Sequence, residues 1–452
     1  MRRASWMCAV CVVPLACGSS GTPASQSEGS ASTTESSESD SASGAGVELP
    51  PGCGDGIVDP EQFCFEPILI PGLAEVQFIH GLDLDGDGRD ELVVGYRSVR
   101  AGDFQCDESR GGGCLSVFVF EDEAFVHRQT IDSGSLTFTG ERHVVLEDFD
   151  RDGRVDLGLL SAVSGAKFSL FRNVGGVLGE RELLTVIPGS GFGMMAPVDP
   201  DGDGMLDYLV PWKDGSAGST ADHIQLRRKV GDEFAAVGPK FELPPCWSSG
   251  AVAVGDLTGN GLDDAVFVSE LGACDIIPDD IEPEALFQAF VFFANAETGL
   301  MEAGPRLPRG GNYNARRLWI VDVNADGHLD IVFSLQDAED AIIVNRGDGT
   351  FEDVRVFGQI SEGEAPKRGA AWVADFNGDG RVDVLGGGHD ETARGFLVDP
   401  LGERRVYPPA PADALGPTAK ADVNGDGIMD MYRVENTDDP LVKRVYILVS
   451  RP

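Results

Sequence analysis

One nine-residue pattern, D-x-[DNT]-x-[DN]-G-x-x-[DE], recurs seven times between Asp83 and Asp430. The copies, numbered here loops 1 to 7, are DLDGDGRDE from Asp83, DFDRDGRVD from Asp148, DPDGDGMLD from Asp199, DLTGNGLDD from Asp256, DVNADGHLD from Asp322, DFNGDGRVD from Asp375 and DVNGDGIMD from Asp422. Successive copies begin 47 to 66 residues apart. A period of this size marks an array of like units that stack to share a core, rather than several unrelated domains.

The spacing inside each copy suits a hard divalent cation. Ca²⁺ takes about six to eight oxygens at about 2.3–2.6 Å, and a tight loop with oxygens at alternate positions wraps it. Positions 1, 3, 5 and 9 supply side-chain oxygens: Asp83, Asp85, Asp87 and Glu91; Asp148, Asp150, Asp152 and Asp156; Asp199, Asp201, Asp203 and Asp207; Asp256, Thr258, Asn260 and Asp264. The last three sets are Asp322, Asn324, Asp326 and Asp330; Asp375, Asn377, Asp379 and Asp383; Asp422, Asn424, Asp426 and Asp430. Glycine at position 6 permits a positive φ, after which the carbonyl of position 7 can turn back to the ion. Those seventh residues are Arg89, Arg154, Met205, Leu262, His328, Arg381 and Ile428. Without a cation the clustered carboxylates would repel one another. The competing reading is an Asp/Gly turn with no metal. It competes best in loop 4, where Thr258 and Asn260 stand in for two carboxylates.

An EF-hand needs a bidentate Glu at position 12. Position 12 is Val94, Leu159, Val210, Phe267, Phe333, Gly386 and Arg433, so no copy is one. The flanks are short apolar runs, such as Val144–Leu146 and Leu157–Leu160 around loop 2, or Leu318–Val321 and Ile331–Phe333 around loop 5. Runs of that length and composition read as strands, so each loop joins two β-strands.

These loops and flanks resemble the FG-GAP and VCBS repeats of seven-bladed β-propellers, including the calcium loops of integrin α-chain heads. The resemblance covers about residues 65–452 and implies an all-β fold, seven blades of four strands, and up to seven Ca²⁺ ions held by the residues named above. No Gly-Ala-Pro follows the second strand, whereas Ile343-Val344-Asn345-Arg346-Gly347-Asp348-Gly349-Thr350-Phe351 matches the third strand and turn of bacterial VCBS repeats. Arg346-Gly347-Asp348 therefore belongs to a turn rather than to an adhesion motif. Two apolar stretches precede loop 1 and two follow loop 7, so the last blade lacks a C-terminal strand. The surplus Ile68–Ile70 is expected to supply it by pairing with Val445–Val449.

The N-terminal region differs in kind. Arg2 and Arg3 precede an apolar run from Trp6 to Ala16 that is too short to span a bilayer, and it reads as an export signal. Val13-Pro14-Leu15-Ala16-Cys17-Gly18 resembles a bacterial lipoprotein signal, which implies lipidation at Cys17. The expected divisions are a signal at 1–16, a lipidated Cys17 with a Ser-rich flexible linker at 17–50, a Cys-bounded motif at 51–64 and the propeller at 65–452. Residues 18–46 carry no Lys, Arg or aromatic side chain and cannot bury enough apolar surface to order themselves. The protein is expected at the outer membrane or cell surface of a Gram-negative bacterium, or else secreted. Six cysteines then remain and fall as sequence neighbours, from which we expect bridges of Cys53 with Cys64, Cys106 with Cys114 and Cys246 with Cys274.

The chain carries 75 acidic against 35 basic residues, a formal charge of −40. That charge repels phosphate backbones, so nucleic acid is not an expected partner, and the membrane is reached through the anchor alone. The seven loops hold 25 of the acidic residues and four arginines, so much of the imbalance is a ligand inventory. There is no H-E-x-x-H, G-x-S-x-G or Walker A motif, and the six histidines are scattered. The expected function is a monomeric, non-enzymatic binding module for a glycan or protein. The alternative is an enzyme such as a carbohydrate-active hydrolase or lyase, with its chemistry in a loop insertion at Arg100–Gly113 or Ile276–Leu286.

Overall fold

The apolar runs that flank the loops are strands in the computed structural model of the chain. It describes residues 53–57, 64–70, 73, 76–97, 113–132, 144–150, 152–161, 166–187, 195–212, 221–230, 233–244, 247, 249–269, 288–308, 315–335, 340–353, 355–357, 371–386, 396–398, 404–406, 421–436 and 443–451. All lie in one unit, Gly46–Pro452. The lipidation site Cys17, the linker, the cysteines 106, 246 and 274, and both candidate insertions (Gly113 excepted) lie outside the described residues.

Among the described residues the protein is all-β, with 27 strands in seven antiparallel sheets. The first strand, β1 (Phe65–Ile70), is set apart from its sequence neighbours. Sheet 1 is β2 (Val76–Leu82), β3 (Glu91–Arg97), β4 (Gly113–Glu121) and β5 (Ala124–Asp132). Sheet 2 is β6 (Val144–Glu147), β7 (Asp156–Ser161), β8 (Ala166–Phe171) and β9 (Glu182–Ile187). Sheet 3 is β10 (Ala196–Val198), β11 (Asp207–Trp212), β12 (His223–Val230) and β13 (Glu233–Glu242). Sheet 4 is β14 (Ser249–Gly255), β15 (Asp264–Ser269), β16 (Gln288–Asn295) and β17 (Leu300–Pro308). Sheet 5 is β18 (Ala315–Val321), β19 (Asp330–Leu335), β20 (Asp340–Ile343) and β21 (Arg355–Phe357). Sheet 6 is β22 (Ala371–Ala374), β23 (Asp383–Gly386), β24 (Phe396–Val398) and β25 (Arg404–Val406). Each of these six is a meander in chain order. Each acidic loop joins its first strand to its second.

The second strand of a sheet is apolar along its whole length because both of its faces are covered. In β15, Val266 and Val268 pack with Ile331 and Phe333 of sheet 5, while Ala265 and Phe267 pack with Leu209 and Leu226 of sheet 3. The period of two thus hands alternate residues to opposite neighbours. Burying each such Val, Ile, Leu or Phe contributes about 1.5–3 kcal/mol, so these shared layers hold neighbouring sheets together.

The same sharing joins sheets 7 and 1, sheets 1 and 2, and sheets 5 and 6. Strands β9 and β13 bring sheets 2 and 3 into contact. Sheets 6 and 7 are linked where the Met429 N–H donates to the Asp375 carbonyl (3.1 Å). Every sheet therefore meets the one before it and the one after it, and the series returns to its start.

Sheet 7 closes the series from both ends of the described chain. Its order is β1, β27 (Lys443–Ser450), β26 (Met431–Asn436). The expected pairing is present, antiparallel and continuous from Phe65 opposite Ser450 to Ile70 opposite Val445. A first strand of this sheet is represented by a single bridge, Ala421 with Asp430, and the segment before Ala421 lies outside the described residues.

The Cys-bounded motif is stitched to the same place. Cys53 and Cys64 are disulfide-bonded with their Cα atoms 5.4 Å apart. The Gly54 N–H donates to the Arg451 carbonyl (3.0 Å), and the Arg451 N–H donates to the Cys64 carbonyl (2.7 Å). The Arg451 guanidinium binds Glu66 of β1 (3.0 Å) and also Glu123, at the β4–β5 turn of sheet 1. Cys114 is also disulfide-bonded, to a cysteine outside the described residues.

Candidate metal centres

All seven loops fold alike, through bonds from backbone N–H groups to their own side chains. The first Asp accepts the N–H of the position 6 glycine on Oδ2 in every loop, at 2.6–3.0 Å. That geometry needs the left-handed backbone at position 6, and φ there runs from 73° at Gly204 to 89° at Gly88. Position 5 accepts the N–H of position 7, also in every loop, at 2.6–3.0 Å. The seventh residues Arg89, Arg154, Met205, Leu262, His328, Arg381 and Ile428 are thus fixed by their N–H.

The ninth residue differs from the rest because it opens the second strand and is buried. Glu91, Asp156, Asp207, Asp264, Asp330, Asp383 and Asp430 are each at most 6% exposed. In six loops one of its oxygens accepts the N–H of position 2, at 2.7–3.0 Å. In four, the other oxygen accepts an N–H at the end of the third strand: Asn173 (2.6 Å), Ala294 (2.8 Å), Asn345 (2.8 Å) and Ser450 (2.7 Å). The carboxylate therefore ties the loop to the body of its sheet. Burial pushes Glu91, Asp383 and Asp430 up to about 7, and Asp264 and Asp330 up to about 6. It raises Asp156 and Asp207 as well.

The acidic groups converge most closely in the first three loops. Oxygens of Asp83, Asp85 and Glu91, of Asp148, Asp150 and Asp156, and of Asp199, Asp201 and Asp203 lie within 4.8 Å of one another in each set. In loops 1 and 2 the ninth residue belongs to the set; in loop 3 it does not. Loop 4 has a different solution. Asp264 accepts from the Leu257 N–H (2.8 Å), the Thr258 N–H (3.0 Å) and the Thr258 hydroxyl (3.3 Å) on one oxygen and from Ala294 on the other. Asn260 donates its amide to the Ala294 carbonyl (3.1 Å). In loops 5 and 7, Asn324 and Asn424 donate their side-chain amides to Asp326 and Asp426 (2.9 Å each), while in loop 6 Asn377 accepts the Asp379 N–H (3.0 Å).

Some cations of the chain also reach these groups. Arg89 pairs with Asp87 (2.5 Å) and Arg154 with Asp152, each from position 7 to position 5. Arg89 holds the Asp87 carboxyl below its usual range, chiefly through that side-chain bond.

Neighbouring loops touch through residues outside the repeated ligand positions. Asp90 donates its N–H to the Asp422 carbonyl and accepts the Asp422 N–H on Oδ2, both at 2.9 Å, joining loop 1 to loop 7. Asp263 accepts the Asp199 N–H (3.0 Å), joining loop 4 to loop 3. Burial raises both carboxyls. Asn173 donates to the Leu84 carbonyl of loop 1 (2.8 Å), and Asn345 to the Leu257 carbonyl of loop 4 (2.6 Å). Each of these asparagines reaches the loop of the preceding sheet. They share an N-x-G-[GD] context, Asn173-Val174-Gly175-Gly176 against Asn345-Arg346-Gly347-Asp348. The Arg346-Gly347-Asp348 tripeptide sits in this turn, closed by the Arg346 N–H on the Thr350 carbonyl (2.9 Å).

With this geometry in view, the family comparison is direct: residues 310–386, which contain loops 5 and 6, match the FG-GAP-like repeat family. That segment is similar to an FG-GAP-like repeat. Among curated proteins no sequence matches. Solved structures similar to this chain include the Bacillus licheniformis rhamnogalacturonan lyase PL11, at 12% identity and TM-score 0.47 over 85% of this chain and 75% of that one. BBS1N in complex with ARL6DN is similar in its lead-soaked form at 12% identity and TM-score 0.43, over 87% of this chain and 96% of that one. Its mercury-soaked form is similar at 11% identity and TM-score 0.46 with the same coverage.

Proposed function

We propose that the seven sheets are the blades of a seven-bladed β-propeller, that Ca²⁺ bound in its acidic loops stabilises the fold, and that the protein is a non-enzymatic module that binds a glycan or protein partner. The observation that carries this reading is the cyclic contact of seven like sheets, with the last completed by β1, together with one acidic loop at the same junction of each sheet. The donor set fits the ion. It is all oxygen, it is anionic, and in loops 1 and 2 three carboxylates converge on one point. These residues are Asp83, Asp85 and Glu91, and Asp148, Asp150 and Asp156. When bound, the ion supplies positive charge between carboxylates and no chemistry. Loop 4 has the weakest set, because Thr258 and Asn260 replace two carboxylates, the Thr258 hydroxyl already bonding Asp264 and the Asn260 amide the Ala294 carbonyl.

The lipid anchor at Cys17 and the Ser-rich tether would hold this body clear of an outer membrane or cell surface, with the protein acting as a monomer. A glycan array and a pull-down with the purified protein, each with and without chelator, test the function. Saturable binding that chelation abolishes supports it. Turnover of a polysaccharide in a hydrolase and lyase screen would replace it with the enzymatic alternative.

A further inference from the structure

Loop 3 departs from its siblings at two positions that compensate each other. Its second residue is Pro200, which has no N–H. In the other six loops that N–H binds the buried ninth carboxylate. In loop 3 the donor comes from β12 instead. The Arg228 Nε and Nη2 both lie 2.7 Å from Asp207 Oδ2, and Nη2 is also 2.9 Å from Asp201 Oδ2. Nη2 further donates to the Gly299 carbonyl of sheet 4 (2.9 Å). Asp207 is only 3% exposed, so this is a buried carboxylate with a fixed positive partner.

From these contacts we infer that loop 3 is not a calcium site: the Arg228 guanidinium occupies the third and ninth carboxylates that would hold an ion in its siblings, and it also bonds the Gly299 carbonyl of blade 4. The inference rests on the calcium reading of the other loops. An ion binding the third and ninth carboxylates would have to sit beside the guanidinium already bonded to Asp201 Oδ2 and Asp207 Oδ2, and the repulsion between the two cations opposes it. Three carboxylates do converge at Asp199, Asp201 and Asp203. However, that set excludes the buried ninth residue, and Asp201 is itself held by Arg228.

Sheet 2 provides the internal control. Arg228 follows Arg227, the register partner of Tyr208, and Arg172 follows Phe171, the register partner of Leu157. The two arginines are therefore equivalent in their sheets. Yet Arg172 divides itself between Asp150 (2.8 Å) and Glu182 of β9 (3.0 Å), while Asp156 is served by the N–H groups of Phe149 and Asn173. Loop 2 has Phe149 where loop 3 has Pro200, so its ninth carboxylate keeps the backbone donor and needs no arginine.

Counting bound Ca²⁺ by native mass spectrometry tests this on the full chain. Asp326→Asn in loop 5 should lower the count by one, whereas Asp203→Asn, the equivalent change in loop 3, should leave it unchanged. Arg228→Gln should add one ion and make the melting temperature more sensitive to chelator than that of the unmodified protein. A count that falls by one in Asp203→Asn overturns the inference even if Arg228→Gln fails to fold. If the unmodified protein binds no Ca²⁺ at all, the calcium reading itself fails, and this inference with it.

Discussion

Sheets 4 and 7 face the same problem, a buried carboxylate at the junction of loop and second strand, and solve it differently. Sheet 4 is contiguous in sequence, and the Thr258 hydroxyl and backbone and the N–H groups of Leu257 and Ala294 all bond Asp264. Sheet 7 is assembled from both ends of the described chain, and its Asp430 is served by Val423 and Ser450 while its loop keeps a carboxylate, Asp426, where loop 4 has Asn260. Burial raises Asp430 to about 7 and Asp264 to about 6. Where the chain gives up carboxylates it can stabilise the buried one by itself. Where it keeps them, an external cation has more to do, and in sheet 7 that dependence coincides with the seam of the ring.

The comparison breaks first at the seam. Val445→Pro with Ile447→Pro removes two N–H groups from β27, which is the central strand of sheet 7. We expect cooperative melting of the ring to be lost, and an unchanged thermal unfolding profile would remove β1–β27 pairing as the closure. Chelation should act next. With a Kd near 10⁻⁴ M and about 1 mM free calcium, each ion adds about 1.4 kcal/mol, so several lost ions should lower the melting temperature markedly. Hydrogen exchange should then rise in sheet 7 before sheet 4; a uniform rise would equate the two loops.

Smaller changes test sheet 4 itself. Asn345→Ala leaves the Leu257 carbonyl without its 2.6 Å donor and should cost about 1–3 kcal/mol in a denaturant titration, with or without calcium. Thr258→Ala removes one hydroxyl donor from Asp264 and should cost about 1 kcal/mol. If calcium restores that loss in full, loop 4 is a metal site of the same kind as loop 7.

Much of this fold was legible in the sequence, for identifiable reasons. The second strands read as strands because they are apolar on both faces, as Leu92-Val93-Val94 and Ile331-Val332-Phe333 are. The β1–β27 pairing followed from counting strands on either side of the repeats. Position 6 of each loop is a glycine at positive φ, as its place in the turn suggested, whereas the backbone N–H bonds accepted by positions 1, 5 and 9 were not read from the sequence. What was not legible depends on register and on neighbours. Nothing in the local sequence of Asp90 or Asp263 shows that it will bond the first residue of the preceding loop. Nor does β12 alone show that Arg228, rather than the adjacent Arg227, will face Asp207; Arg227 lies over the Trp212 ring instead, 4.1 Å from its centre. Pro200 was the local clue, because a missing N–H implies a donor from elsewhere.

The clasp around Arg451 also orders events in time. Glu66 and Arg451 are 385 residues apart, so β1 leaves the ribosome long before its partner exists. During synthesis β1 must remain an unpaired edge, a template for association with other chains. Six sheets can form from contiguous chain while it waits, which brings the distant ends near each other before β27 arrives and leaves its docking as the last step. The bonds from Arg451 to Cys64, Glu66 and Glu123 then act as a latch that can be set only after β27 has been made.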